Sequence, residues 1–326
     1  MLSSKLKKLL FSILFGVLFI SNTCFSQATY PVKPIRIIVP FGPGGIADLS
    51  TRVVALKLSE ILGQGVIVDN RPGAGGIAAA QAVAKSNPDG YTLLLMSNGN
   101  AISASLFSSL PYDTINDFNV ISTLGTFDIG IVVGSDSQFK TLKELMSFAK
   151  ANPNKINMGS INIGSTQNLA AELFRSQSGL KFEVVPFNST SAVVTALRGN
   201  QIELASEILG PISSQVKANA IRILAVTGAK RSPFYPDVPT VTELGINNFT
   251  ASSWNALAAP DKTPPDIIAK LNKSIVSALN SPDVKLKLEE IYMAPQSSSP
   301  ESAKKFLIEE INHWASVIKK ANIPTQ

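Results

Sequence analysis

Three glycine-rich loops are the part of this sequence that could do chemistry. They occupy residues 41–45, 70–76 and 159–165, and each follows a short apolar run and precedes apolar residues at helical spacing. Glycine lets the backbone approach a ligand closely, and free N–H groups at a helix start donate readily to an anion. One helix start contributes about 0.3–2 kcal/mol, whereas micromolar affinity requires about 8 kcal/mol. A single loop of this kind is explained by a tight turn between a strand and a helix. An anion site is therefore predicted only where several of these loops converge.

Cysteine and histidine, which most catalytic and metal sites need, are almost absent. The chain contains one of each, Cys24 and His313. A Ser-His-Asp triad, a histidine-rich metal site and a disulfide framework are therefore excluded. Neither a P-loop nor a strand followed by Gly-x-Gly-x-x-Gly occurs. The sequence predicts no metal and no cofactor, and it favours binding over catalysis.

The N-terminus has the pattern of a secretory signal. Lys5, Lys7 and Lys8 precede the apolar run 9–20, and small residues at Ser26 and Ala28 suit cleavage after residue 28. The run is shorter than the roughly 20 residues that span a bilayer, although an uncleaved anchor is the alternative. Cleavage would leave 26 basic and 23 acidic residues, a balance that predicts no nucleic-acid partner.

The elements that position the loops read as an α/β protein. Short β-branched runs such as 35–39 alternate with helical segments such as 46–62, which favours parallel sheets. A second set of strands and helices begins near residue 129, and an extended, proline-rich segment follows Thr227. The spacing then predicts three closing helices, over 265–279, 282–291 and 300–321, the last with Ser299 as N-cap.

This organisation predicts two α/β lobes around a ligand cleft. The first lobe comprises residues 29–127 together with 229–326, because the closing helices lack a sheet of their own, and the second comprises 128–228. Lobes joined by two crossings close by hinge motion around a ligand, and ligands bind beyond the carboxyl ends of parallel strands. The alternative is two domains that merely share a linker.

Several motifs resemble the substrate receptors of tripartite tricarboxylate transporters, often called Bug receptors. The likeness covers the whole mature chain and is most specific at 39–45 with Asp48 (Val-Pro-Phe-Gly-Pro-Gly-Gly), 68–76 (Val-Asp-Asn-Arg-Pro-Gly-Ala-Gly-Gly) and 87–93 (Asn-Pro-Asp-Gly-Tyr-Thr-Leu). The resemblance implies a type II periplasmic binding protein that acts as a monomer. It would enclose a small organic solute, an anion, in the periplasm and present it to integral-membrane permease subunits.

The resemblance also implies the ligand-binding residues, with the solute carboxylate held largely by backbone groups and bridging waters. The candidates in the first lobe are Phe41, Gly45, Asp48, Gly73, Ala74, Gly76, Ser97 and Asn98. The candidates in the second lobe are Ser160, Gly164, Ser165, Asn168, Asn188 and Glu203.

The sequence departs from the family pattern in the second lobe. Asn168 stands where the family usually has histidine, residues 186–189 (Pro-Phe-Asn-Ser) replace Pro-Tyr-Lys-Gly, and Glu203 replaces an aspartate. These changes leave the distal group of the solute open between a second carboxylate, an amide, an amine and an uncharged ring, since asparagine both donates and accepts hydrogen bonds.

Two other functions would use the same cleft. A sensory receptor would dock its closed lobes on a sensor ectodomain instead of a permease. An enzyme would use Asp48, Glu203 or Lys181 as acid or base, although no local spacing fixes such a pair. Arg71 could pair with an anion or with a neighbouring carboxylate.

Overall fold

The strand–loop–helix units predicted from the sequence are present in the structure. A computed structural model describes residues 30–73, 76–321 and 323–325, and residues 33–326 form one unit. The predicted signal peptide, residues 1–28, and the candidate site residue Ala74 lie outside the described residues. In the part of the chain that the structure describes, no helix is long and apolar enough to cross a membrane.

The elements alternate along most of the chain. The strands are β1 (Ile35–Val39), β2 (Val66–Asn70), β3 (Thr92–Ser97), β4 (Phe118–Gly134), β5 (Asn157–Ile161), β6 (Glu183–Phe187), β7 (Leu204–Ile208), β8 (Ile221–Val226), β9 (Ser252–Pro260) and β10 (Met293–Pro295). The helices are α1 (Ile46–Leu62), α2 (Ile77–Ala84), α3 (Asn98–Leu106), α4 (Leu142–Ala151), α5 (Thr166–Ser178), α6 (Thr190–Arg198), α7 (Leu209–Lys217), α8 (Pro265–Asn280), α9 (Pro282–Glu290) and α10 (Pro300–Lys320).

One sheet runs through the molecule in the order β2-β1-β3-β9-β4-β7-β5-β6. β4 changes partners along its length, because it pairs with β9 as far as Asp128 and with β7 and β8 from Ile129 onward. We call the β1–β3 and β9 side, with its helices, the first half, and the β5–β8 side the second half. The predicted lobe boundary at 127/128 falls where β4 changes partners, and the division into lobes stays a prediction.

The parallel strands expected from the alternation are present in each half, but the sheet as a whole is mixed. β1, β2 and β3 are parallel, as are β5, β6 and β7, but β9 lies antiparallel between β3 and β4. The sequence pattern missed β9 because its run 254–259 (Trp-Asn-Ala-Leu-Ala-Ala) lacks the β-branched residues that mark the other strands. Its almost complete burial in the sheet decides its conformation.

The three predicted closing helices are present and pack on the first half. α8 and α9 contact α1, and α10 contacts α3. Ser299 is the N-cap of α10, as predicted, and accepts a hydrogen bond from the N–H of Ser302. Trp314 of α10 is fully buried, so this helix closes the core beside α3.

Candidate functional site

The first glycine loop, residues 41–45, joins β1 to α1 and is open to solvent. Gly44 has φ +85°, a conformation that strains other residues. A Cβ at Gly44 or Gly45 would have no atom of the described residues within 4 Å. Phe41 is also exposed. The loop therefore presents its backbone at the carboxyl end of β1.

Asp48 fixes the shape of this loop. Its buried carboxylate accepts hydrogen bonds from Gly44 N (2.9 Å), Asn70 Nδ2 (2.9 Å) and Arg52 Nε (3.0 Å). Burial alone would raise the pKa of Asp48, but the bonds from Arg52, Gly44 and Asn70 together lower it. Asn70 also donates to the carbonyl of Phe41 at 3.0 Å. Asp48 therefore holds the loop in shape, and its predicted contact with the ligand stays a prediction.

The loops that follow β2 and β3 meet the first glycine loop at Gly76. A Cβ on Gly76, which has φ +73°, would lie 3.0 Å from Pro40 Cβ and 3.7 Å from Asn100 Nδ2. Asn100 in turn accepts a hydrogen bond from Ser97 N at 2.9 Å. Gly73 is exposed beside these loops. Only glycine permits this approach, so the ends of β1, β2 and β3 share one surface.

Asn98 joins the first half to the second. Its side chain is fully buried, accepts from Trp314 Nε1 (2.8 Å) and donates to Thr166 Oγ1 (3.2 Å) and to the carbonyl of Ser252 (3.2 Å). Thr166 is the first residue of α5. Asn98 therefore connects the two sets of loops through both of its amide protons, and its predicted contact with the ligand stays a prediction.

The loop before α5 has the geometry of the first loop. Gly164, with φ +81°, donates its N–H to Asn168 Oδ1 at 3.3 Å, and Asn168 Nδ2 donates to the buried Ser160 at 3.2 Å. Ser165 caps α5 by accepting from Asn168 N at 3.1 Å. A Cβ at Gly164 would lie 2.9 Å from Leu106 Cδ2 of α3. The loop of the second half therefore lies directly against the first half.

The last two predicted site residues are placed differently. Asn188 is exposed and precedes Ser189, whose side chain caps α6 by accepting from Ala192 N. Glu203 lies just before β7, and its carboxylate accepts from Asn157 N at 2.7 Å. Both ends of that bond lie at the amino ends of parallel strands, whereas the loops follow the carboxyl ends. The structure therefore does not bring Glu203 to the other candidates.

The remaining charged candidates are also separated from one another. Lys181 is exposed at the amino end of β6, on the same edge as Glu203, while Asp48 belongs to the first loop. Arg71 pairs with the neighbouring carboxylate of Asp69 at 3.0 Å. Among the described residues, no group of three or more histidine, cysteine, aspartate or glutamate side chains could hold a metal ion.

Sequence reasoning missed Glu207, near the carboxyl end of β7. This side chain is fully buried, and its Oε2 accepts from Thr190 Oγ1 at 2.9 Å. Burial raises its pKa to about 7, and the nearby polar groups of Thr190, Gln167 and the Ile208 backbone offset only part of that rise. The signal in the sequence was a single charge within the otherwise uncharged run 204–209 (Leu-Ala-Ser-Glu-Ile-Leu).

The starts of α1 and α7 bring the two halves together a second time. A Cβ at Gly210, in the first turn of α7, would lie 3.5 Å from Ile46 Cδ1 at the start of α1. Together with the Asn98–Thr166 bond, this contact shows that the loops following β1–β3 face those following β5–β7. The glycine loops of the two halves are therefore gathered at the same edge of the sheet, and their role in binding stays a prediction.

Comparison with known proteins shows the family. The profile described as "Tripartite tricarboxylate transporter family receptor" matches residues 50–323. Protein BugT of Bordetella pertussis is 36% identical over 297 residues, which cover 90% of this chain and 91% of that protein. A UPF0065 protein of Agrobacterium vitis is 36% identical over 91% of this chain and 86% of its own length.

Solved structures show the same fold. The structure of R. palustris Rpa4515 with adipate has a TM-score of 0.83 and 31% identity, and covers 90% of this chain and 99% of that one. The periplasmic binding protein BugD has a TM-score of 0.81 and 29% identity, with 91% and 100% covered. MatC from Rhodopseudomonas palustris with bound malate has a TM-score of 0.79 and 27% identity, with 89% and 100% covered.

These matches confirm the predicted fold class, a type II periplasmic binding protein with α/β architecture. The chain belongs to the tripartite tricarboxylate transporter receptor family, the Bug family of periplasmic solute-binding proteins.

Proposed function

We propose that this protein captures a small organic carboxylate in the crevice between its two halves and delivers it to membrane permease subunits. Residues 1–28 would export it to the periplasm, and residues 29–127 with 229–326 would form one lobe that closes on the other, 128–228. Adipate and malate are bound by the two structural relatives named above, and both are carboxylates. Their chemistry suits a site that is rich in backbone N–H groups.

The observation that carries this proposal is the absence of side-chain caps at two helix starts of the first half, among the described residues. α1 and α2 start at Gly45 and Gly76, and within the described residues neither has a side-chain hydrogen bond at its N-cap. In contrast, α5 and α6 are capped by Ser165 and Ser189. The N–H groups at the starts of α1 and α2 are therefore left for an anion, which the helix dipoles also favour.

The predicted residues then divide by role. We assign the direct contacts in the first half to the backbone of Phe41, Gly45 and Gly73, and Ala74 remains a prediction of the same kind. Gly76 donates its N–H to the carbonyl of Gly73 at 3.1 Å, so we assign to it the close approach of this loop to Pro40. Asp48 and Asn168 hold their loops in shape, and Asn98 joins the halves. Several N–H donors must act together, because one contributes at most about 2 kcal/mol against the roughly 8 kcal/mol of a micromolar complex.

Calorimetry with a panel of di- and tricarboxylates, including adipate and malate, tests the proposal. We expect at least one of them to bind and to raise the melting temperature by mass action. Replacing the solute carboxylate by a carboxamide should abolish binding. A panel without any binding heat, or equal affinity for acid and amide, would contradict the proposal.

A matched pair of variants tests the backbone donor. Gly45 has φ −79° and open space around a Cβ, so both proline and alanine fit there. Gly45→Pro removes the N–H and should weaken binding about 10-fold, which corresponds to about 1.4 kcal/mol. Gly45→Ala keeps the N–H and should bind like the wild type. Equal affinities of the two variants would show that this N–H does not contact the solute.

The partner of the loaded protein is tested separately. We propose permease subunits, because the family profile is that of a receptor for a tripartite transporter. Solute-dependent co-purification with detergent-solubilised permease subunits is the expected result. Solute-dependent binding to a sensor ectodomain instead would identify the protein as a sensory receptor.

A further inference from the structure

Glu207 is an acidic side chain at the crevice that the proposed function leaves without a role. It lies in β7, three residues before Gly210, which faces Ile46 at the start of α1. Its carboxyl group lies beside Thr190 and Gln167, which belong to the first turns of α6 and α5. Glu207 therefore lies in the second half, at the sheet edge where the loops that follow β5–β7 begin.

The hydrogen bonding of Glu207 is incomplete. Oε2 accepts from Thr190, but Oε1 is buried and has no hydrogen-bond partner among the described residues. A buried polar atom without a partner costs about 1–3 kcal/mol. Thr190 is itself part-exposed, so the carboxyl group lies only one side chain below the solvent. An arriving solute that supplies the missing partner would recover that cost.

No positive charge compensates Glu207, in contrast to Asp48, the other fully buried acid among the described residues. Asp48 is paired with Arg52 at 2.9 Å. Within the described chain Glu207 forms no ion pair, and its neighbours Thr190 and Gln167 are neutral. A carboxylate without a cation favours a hydrogen-bond donor and disfavours a second carboxylate.

We propose that Glu207 is a specificity-determining residue whose Oε1 accepts a hydrogen bond from an N–H or O–H donor at the distal end of the solute. This inference rests on the proposed function, in which the starts of α1 and α2 hold the solute carboxylate. The preferred solutes are then short carboxylates that carry an amine or a hydroxyl at the far end, rather than dicarboxylates.

Matched pairs of solutes test this preference by calorimetry. For chains of four, five and six carbons, the probes are succinate, glutarate and adipate against the corresponding ω-amino and ω-hydroxy acids. We expect an amino or hydroxy member to bind the wild-type protein at least 10-fold more tightly than the dicarboxylate of the same length. Comparison of the ω-amino with the ω-hydroxy acids shows whether binding requires the positive charge of an ammonium group or only a hydrogen-bond donor.

Glu207→Gln tests the residue itself. The amide keeps the shape of the side chain but loses the charge, so the preference for amino over dicarboxylate solutes should fall at least 10-fold or reverse. Glu183→Gln, at an exposed position at the amino end of β6, should leave the preference unchanged. Far-UV circular dichroism and melting curves establish that both variants fold.

The outcomes separate this inference from the proposed function. Tighter binding of dicarboxylates than of amino or hydroxy acids, with the same ratio in Glu207→Gln, would overturn the role of Glu207 while leaving the carboxylate-binding function intact. Binding of none of the probes, nor of any acid in the wider carboxylate panel, would contradict the proposed function and this inference with it.

Discussion

The glycine loops before α1 and α5 are built alike in the two halves of the molecule. In each, a glycine with positive φ donates its N–H to a side chain four residues later, in the first turn of the helix. Gly44 donates to Asp48 at 2.9 Å, and Gly164 donates to Asn168 at 3.3 Å. A short side chain with an acceptor oxygen at that position is therefore sufficient to shape the loop.

The two halves differ in where they place their negative charge. In the first half the charge is on Asp48, where Arg52 and Asn70 satisfy it. In the second half the corresponding residue is the neutral Asn168, and the carboxyl group is on Glu207, where one oxygen lacks a partner within the described residues. Under the proposed function, this difference predicts a first half that is preformed for the solute carboxylate and a second half that is completed by the solute.

The largest expected effect comes from Glu207→Gln as a function of pH. Because burial raises the folded-state pKa of Glu207 from 4.5 to about 7, the folded protein retains a proton that the unfolded chain has lost between those values. The free energy of unfolding of the wild type should fall by about 3 kcal/mol as pH rises through this range, at about 1.36 kcal/mol per pH unit.

The glutamine variant lacks that dependence. Urea unfolding at pH 4.5, 6 and 8 should therefore show the variant gaining stability relative to the wild type as pH rises, with no further gain above pH 7. Asp48 behaves in the opposite way, because its pKa is lowered, so its contribution is lost only as pH falls below 3.8. If the difference in free energy of unfolding between Glu207→Gln and the wild type did not change with pH, the carboxyl group of Glu207 would not be uncompensated in the folded protein.

Asp48→Ala and Asn168→Ala compare the two side chains that hold the loops. Asp48→Ala leaves Gly44, Asn70 and Arg52 without their acceptor and should lower the free energy of unfolding by about 2 kcal/mol, since Arg52 is half-exposed and can return to water. Asn168→Ala removes neutral hydrogen bonds and should cost about 1 kcal/mol. If the two variants lost the same free energy of unfolding at neutral pH, the charge of Asp48 would add nothing to the stability of the first loop.

Gly44→Ala and Gly164→Ala compare the surroundings of the two loops. Both substitutions place a Cβ at positive φ, which costs about 1 kcal/mol. Gly164→Ala should cost roughly 1 kcal/mol more, because its Cβ would meet Leu106 at 2.9 Å, whereas the described residues leave open space at Gly44. Combining Gly164→Ala with Leu106→Ala in a double-mutant cycle should recover this excess. Additive losses would show that the two halves do not touch there.

Local features of the fold were predictable because they depend on neighbouring residues. The positive-φ glycines, the strands that precede them and the Ser299 cap of α10 each follow from a few consecutive positions. β9 was missed because its conformation comes from pairing with β3 and β4 on either side. Glu203 looked equivalent to a site residue in sequence, but the direction of β7 places it at the wrong edge of the sheet.

The sequence by itself determined the family, the order of strands and helices, and the loops that offer backbone N–H groups. Only the tertiary structure decided which side chains are consumed within the protein, because those partners are far apart in the chain. Asn98 bonds to Trp314, 216 positions away, and Asn70 reaches Asp48 across 22. Burial is likewise a property of the assembled sheet and helices, and it alone distinguishes Glu207 from an ordinary surface acid.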